Sequence, residues 1–250
     1  MTQACALIVE RGDPDRFRAA MSAPPAARGP MFVLFAFNLE IAKAPWASKE
    51  PLIAEMRLQW WHDVLTRAHE GNPPAHEVAG PLVDLIRAHD LDTAPLLAAV
   101  AARRLDIDGA GLNRVEPLLE YLSGSTAGIL WTAARALGED AAFGTPFRRA
   151  ALAGALANYL TALPAIKARR RVGFSAERVQ ELADIGLAEW QAARGYRFGA
   201  GKPVLRSLWQ TPKLLQAYAA DPALALEGRF AQPEAAKRGR LLWLTLTNRW

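Results

Sequence analysis

Residues 114–137 read R-V-E-P-L-L-E-Y-L-S-G-S-T-A-G-I-L-W-T-A-A-R-A-L, and their spacing decides the fold. Leu118, Tyr121, Leu122, Ser125, Ile129 and Leu130 recur at steps of three and four, which places them on one face of a helix. The same spacing predicts helices over 26–44, 49–70, 77–89, 94–106, 146–168, 176–194, 204–219 and 233–248. No β-branched run alternates over a strand's length. The fold class is therefore all-α.

The punctuation agrees. Asp13-Pro14 and Thr145-Pro146 each place a capping side chain before a proline in the first turn. Asn113 followed by Glu116 has the spacing of a capping box. Gly71-Asn72-Pro73-Pro74, Gly109-Ala110-Gly111, Gly138 and Gly199-Ala200-Gly201-Lys202-Pro203 read as stops. Two segments are apolar nearly all round, Met31–Phe37 and Ala150–Ile166. The second is short for a membrane span and contains Asn158 and Pro164. Both suit central helices of a bundle.

At 250 residues with 51% hydrophobic and 22% charged side chains, the chain can fill one large core, and 1–250 is expected to be one domain. A single cysteine, Cys5, excludes a disulfide framework or a cysteine-rich metal site. Mean hydropathy is +0.00 and the N-terminus does not read as a secretory signal, so a cytoplasmic protein is expected. His62, His69, His76 and His89 lack a cysteine partner, and Gly71 to Pro74 separates His69 from His76; ordinary histidines are the simpler reading. No phosphate loop or nucleophile elbow is present.

Charge is uneven. Residues 1–163 hold 15 basic and 18 acidic side chains, a net of −3, whereas 164–250 hold 15 basic and 7 acidic, a net of +8. The segment 237–250 is basic and then apolar, ending in tryptophan. It reads either as a last helix packed on the bundle or as a docking tail for an anionic membrane surface or a protein partner.

Four segments, in order, resemble the squalene/phytoene synthase family. P-P-A-A-R-G-P-M-F-V-L-F-A-F-N-L-E-I-A-K over 24–43 is similar to the helix that ends in the family's Y-A-F-C-R-x-x-D-D-x-x-D. Arg57-Leu58-Gln59-Trp60-Trp61 resembles its R-x-x-W-W, and the stretch from Tyr121 to Gly138 its Y-x-x-x-x-A-G-x-V-G helix. Gly154 to Ser175 stands where the family has G-x-A-x-Q-x-x-N-I-L-R-D-x-x-x-D. The resemblance implies an orthogonal helical bundle and, in the enzymes, Mg²⁺-dependent head-to-head joining of isoprenoid diphosphates between two aspartate motifs.

Here those aspartate positions fall on Ala42, Lys43 and Trp46, and on Ala165 and Arg169. Asn38 replaces the first motif's cysteine, while Asn158 and Thr161 replace the upstream amides of the second. The resemblance implies that Asn38, Ala42, Trp46, Tyr121, Asn158, Thr161, Ala165 and Arg169 line the former substrate cavity. Mg²⁺ needs hard oxygen ligands, so these replacements predict no catalytic residues and no metal site. No cofactor is expected; Mg²⁺ enters only if acids elsewhere, such as Glu40, Glu55 or Asp63, serve a prenyl transferase. Trp60 and Trp61 read as core and edge residues or as cavity lining. Arg169, Arg170 and Arg171 read equally as an anion site or as cations at a helix C-terminus.

The pattern A-F-N-x-E-x-A at Ala36–Ala42, with Thr161, Leu163, Ala165, Arg169-Arg170 and Phe174, resembles one catalytically degenerate branch, the complex I assembly factor of mitochondria and its bacterial relatives. That likeness implies a protein partner among complex I subunits or assembly factors, an anionic membrane surface or lipid as a further partner, and no nucleic acid. It implies residence in the cytoplasm, peripheral to the inner face of the membrane. An isoprenoid- or lipid-binding protein is the remaining alternative.

Overall fold

Asp13 accepts a hydrogen bond from the Arg16 backbone N–H at 3.0 Å, and Pro14 occupies the first helical position beside it. That cap opens the second helix of a computed structural model. The model describes residues 2–48, 50–108, 111–170 and 173–250, with side chains at all of these except 108, 169 and 170. The helices are α1 (Thr2–Gly12), α2 (Pro14–Met21), α3 (Pro25–Lys43), α4 (Pro51–Thr66), α5 (Ala79–His89), α6 (Ala94–Arg103), α7 (Leu105–Asp108) and α8 (Val115–Leu122). They continue with α9 (Gly128–Ala136), α10 (Gly144–Arg170), α11 (Ala176–Arg194), α12 (Lys202–Arg206), α13 (Thr211–Ala220), α14 (Ala223–Leu226) and α15 (Glu234–Leu246). No strand occurs among the described residues.

α3 and α10 are the central helices, as their apolar character requires. Every residue from Met31 to Asn38 is buried, and α10 buries Phe147, Ala150, Ala151, Ala153 and Ala155 to Ala157. Close approach is bought with glycine: a Cβ on Gly154 would lie 2.5 Å from Leu208, and one on Gly186 would lie 2.9 Å from Leu215. The first brings α10 onto the turn before α13 and the second brings α11 onto α13, and α10 packs against both α11 and α13. Ala19, Trp209, Leu241 and Leu244 form a small second cluster that fastens α15 to the bundle.

Two local expectations are corrected, and one helix was not anticipated. Arg114, in extended conformation, precedes the first residue of α8, and no side chain caps that end, so Asn113 forms no capping box. The helix expected over 204–219 is two, because Pro212 has no N–H to continue the ladder and sits in the first turn of α13. Thr2–Gly12 forms a helix that has no cap signal in the sequence; it buries only Cys5 and Val9.

α8 and α9 are joined by a π-helical turn, Ser123–Ala127. Gly128 there lets the chain pass 3.1 Å from the Pro95 carbonyl oxygen, measured from where its Cβ would stand. Such turns redirect side chains and recur at functional sites. This one faces the cavity described next.

Candidate functional site

A cavity of about 260 Å³ opens between α2, α3, α6, α8 and α10. Asn38 and Ala42, one turn apart on α3, form one wall, with Trp46 just beyond the helix. Ala155, Asn158, Tyr159, Ala162 and Ile166 of α10 form the opposite wall. The π-helical turn contributes Ser125 and Thr126. The polar end holds Arg16, Arg103, Asp106 and Tyr121.

Three of these polar groups, Arg103, Asp106 and Tyr121, are joined. Arg103 Nη1 donates to Tyr121 Oη at 2.5 Å and stands 3.2 Å from Asp106 Oδ2. Tyr121 Oη in turn donates to Asp106 Oδ2 at 2.9 Å. Arg16 is 7% exposed; its guanidinium lies over the Phe35 ring at 5.5 Å and 3.5 Å from Asp13. Three buried polar atoms of the wall have no protein partner: Asn38 Oδ1, Ser125 Oγ and Arg103 Nε. A buried polar atom without a partner costs about 1–3 kcal/mol, so this end is built to meet a polar group or water.

Ala42, Trp46 and Ala162 are shared with a wider groove of about 1140 Å³, which is lined also by Leu39, Trp60, Trp61 and His76. Trp61 is buried and Trp60 is 39% exposed, their rings edge to face at 4.9 Å. They are thus core and edge residues that also line the groove. Glu40 lies in the groove with Lys43 and Arg57. Glu55 pairs with Arg104 at 3.1 Å and Asp63 accepts from Gln59 at 2.8 Å; neither lines the cavity.

Of the residues read from the sequence, Asn38, Ala42, Trp46, Tyr121 and Asn158 meet at this cavity. Thr161 and Ala165 are not among its lining residues. Each precedes a lining residue, Ala162 or Ile166, by one position, and so sits about 100° around the helix. Thr161 faces α13 instead, where its hydroxyl is 2.8 Å from Tyr218 Oη. Backbone at Arg169 and Arg170 ends α10, but their side chains, and all of Arg171, lie outside the described residues. Sequence reasoning missed Arg16, Arg103 and Asp106. The available signal was an Arg-x-x-Asp pair closing the otherwise apolar segment 94–106.

The residues present do not fit a Mg²⁺–diphosphate site. Asp106 is the one carboxylate among the described lining residues, and it is engaged by Tyr121 and Arg103. Two guanidinium groups share the space, and in a poorly solvated cavity they repel a cation strongly. No group of three His, Cys, Asp or Glu side chains placed to hold a metal occurs among the described residues.

A family model described as squalene/phytoene synthase matches residues 9–240. The chain is 25% identical over 134 residues to the NADH dehydrogenase (ubiquinone) complex I assembly factor 6 proteins of Bos taurus and Homo sapiens. That stretch covers 54% of this chain and 40% of each relative, so the match spans less than half of the relatives' length. A crystal structure of a dehydrosqualene synthase in complex with ligand superposes with a TM-score of 0.74, covering 98% of this chain and 95% of that one at 13% identity. At that identity the likeness speaks for the fold.

Proposed function

The chain belongs to the squalene/phytoene synthase family, and from that premise we propose that it works without prenyl-transfer chemistry, as a helper in the assembly of respiratory complex I. The observation that carries the reading is the composition of the cavity wall. Alanines stand at Ala42 and Ala162 on the walls formed by α3 and α10, and Arg16 and Arg103 bring positive charge. A metal-dependent ionisation of a diphosphate has no ligand set there. The sequence likeness to assembly factor 6 supplies the biological direction. Its partner is then a complex I subunit or assembly factor, met at the inner face of the cytoplasmic membrane.

Two measurements test this together. Deleting the gene in its host is expected to lower assembled NADH:quinone oxidoreductase on native gels, with recovery when the intact chain is restored. Purified protein given farnesyl or geranylgeranyl diphosphate, Mg²⁺ and NADPH is expected to release no diphosphate above background. Chelator-sensitive turnover, or unchanged complex I, overturns the reading.

One observation favours a second reading. The groove with Trp60 and Trp61 meets, at Ala42, Trp46 and Ala162, the cavity that Arg16 and Arg103 line, a combination suited to an isoprenoid or lipid with an anionic head. Mass spectrometry of lipid extracted from the purified protein decides it: an apolar extract with no enriched species sets it aside.

A further inference from the structure

α15 is apolar on two sides. Leu241 and Leu244 are buried against Trp209 and Ala19. At about 100° per residue, Leu242, Trp243 and Leu246 lie well around from that stripe. They are 59%, 49% and 77% exposed. The outer face of a helix packed on a bundle is ordinarily polar, and this second stripe departs from that pattern. No acid occurs between 235 and 250, whereas Lys237, Arg238, Arg240 and Arg249 do. Glu234, at the helix start, is taken up by Arg18 and Lys237 at 3.1 and 3.3 Å. The Arg249 guanidinium lies over the exposed Trp243 ring at 5.1 Å.

Beside α15 lies a groove of about 740 Å³ into which Thr245 and Asn248 of this same segment project. Its ionisable lining residues are His89, Lys202 and Arg206, with no carboxylate among those described. Arg206 is 4% exposed, and its hydrogen-bond partners among the described residues are neutral, the Arg249 carbonyl at 3.1 Å and Asn248 Oδ1 at 3.5 Å. Glu139 lies behind the Gly199–Gly201 loop, and its carboxylate is occupied by that loop's N–H groups. A buried guanidinium without a counter-charge is costly, and an anion at the groove relieves that cost. On the helical wheel Arg238 stands beside the groove-lining Thr245, between the buried and the exposed apolar stripes.

We propose that α15 and the adjoining Lys202–Arg206 groove form a docking face for an anionic lipid bilayer. Leu242, Trp243 and Leu246 enter the headgroup–acyl boundary, Arg238 and Arg249 lie at the phosphate level, and the groove receives a headgroup phosphate. Apolar side chains beside arginines, on a helix whose one acid, Glu234, is already paired, are the chemistry of interfacial binding. An acidic protein surface satisfies the cations but leaves the leucines unmatched. The proposal deepens the assembly reading by naming the surface that meets the membrane.

The test is flotation of the full chain with phosphatidylglycerol/phosphatidylcholine vesicles at low salt. Binding is expected, weakening as salt is raised and absent with pure phosphatidylcholine. L242Q/L246Q is expected to weaken it tenfold or more, and K202Q and R238Q by about fivefold each. The leucines and Arg238 are exposed, so an unchanged melting temperature accompanies these variants. Failure to float with anionic vesicles, binding that all these variants leave unchanged, or a lipid-free dimer abolished by L242Q/L246Q overturns the proposal. None of these readouts involves complex I or prenyl transfer, so this idea fails independently of the assembly reading.

Discussion

Thr161 and Tyr218 share a hydrogen bond of 2.8 Å between α10 and α13, and it holds Thr161 on the side of α10 turned from the cavity. Tyr218 is 1% exposed; burial raises its phenol above the ordinary range, and the Thr161 bond pulls it partly back. Thr161→Val leaves the tyrosine hydroxyl without this partner. It is expected to cost about 1–2 kcal/mol in urea unfolding and to raise the Tyr218 pKa further, read from phenolate absorbance. A thermal or chemical midpoint equal to that of the wild type contradicts the role given to the pair.

Glu139, 2% exposed, accepts backbone N–H bonds from Gly199 at 3.0 Å and Gly201 at 2.7 Å and so ties the α12 approach to the end of α9. Gly201 has no room for a side chain: an added Cβ meets Ala134 at 2.8 Å, Glu139 at 2.9 Å and Phe147 at 3.1 Å. Glu139→Ala strands two donors and is expected to cost about 1–3 kcal/mol, with Glu139→Gln milder because one acceptor remains. Gly201→Ala is expected to cost about as much through overpacking. Differential scanning calorimetry on the three variants checks both the sizes and the order.

Much of this architecture was legible because the central helices announce themselves. Met31–Phe37 and Ala150–Ile166 are apolar on every side, and that pattern has few solutions outside a bundle. α1 was not legible, since two buried side chains make too weak a stripe. The break between α12 and α13 was written in Thr211-Pro212 but masked by the apolar run around it. At the site, the family likeness located Asn38, Ala42, Trp46, Tyr121 and Asn158. It also pointed to Thr161 and Ala165, which do not line the cavity, and Thr161 is turned toward Tyr218. Arg103 and Asp106 are neighbours in sequence, but Arg16 on α2 and Tyr121 on α8 are far from them, so only the fold brings the four to one cavity.

Cys5 is fully buried, and burial pushes its thiol up to about 11 from 9.0. The native thiol is therefore expected to react with Ellman's reagent far more slowly than the unfolded chain at mildly alkaline pH. Its folded-state pKa is raised, so the stability it contributes is complete below pH 9 and is lost as pH climbs toward 11. A native reaction rate matching that in denaturant contradicts the assignment.

Ala42 and Ala162 face one another across the passage between cavity and groove, since both line the two spaces. Ala165, the position suggested by motif spacing, is exposed and lines neither. Carboxylates introduced as A42D/A162D are thus expected to bind Mn²⁺ at least tenfold more tightly than A42D/A165D, measured by titration calorimetry. Mg²⁺ retains several waters, so two facing carboxylates suffice for weak binding. Turnover of prenyl diphosphates is not expected to follow, because Arg16 and Arg103 still repel the further cations and the surrounding shell is not arranged to orient ligands. Equal affinity in the two double variants shows that the cavity faces a different side of α10 from the one described. Diphosphate release by A42D/A162D shows that the two carboxylates were the only parts the site lacked.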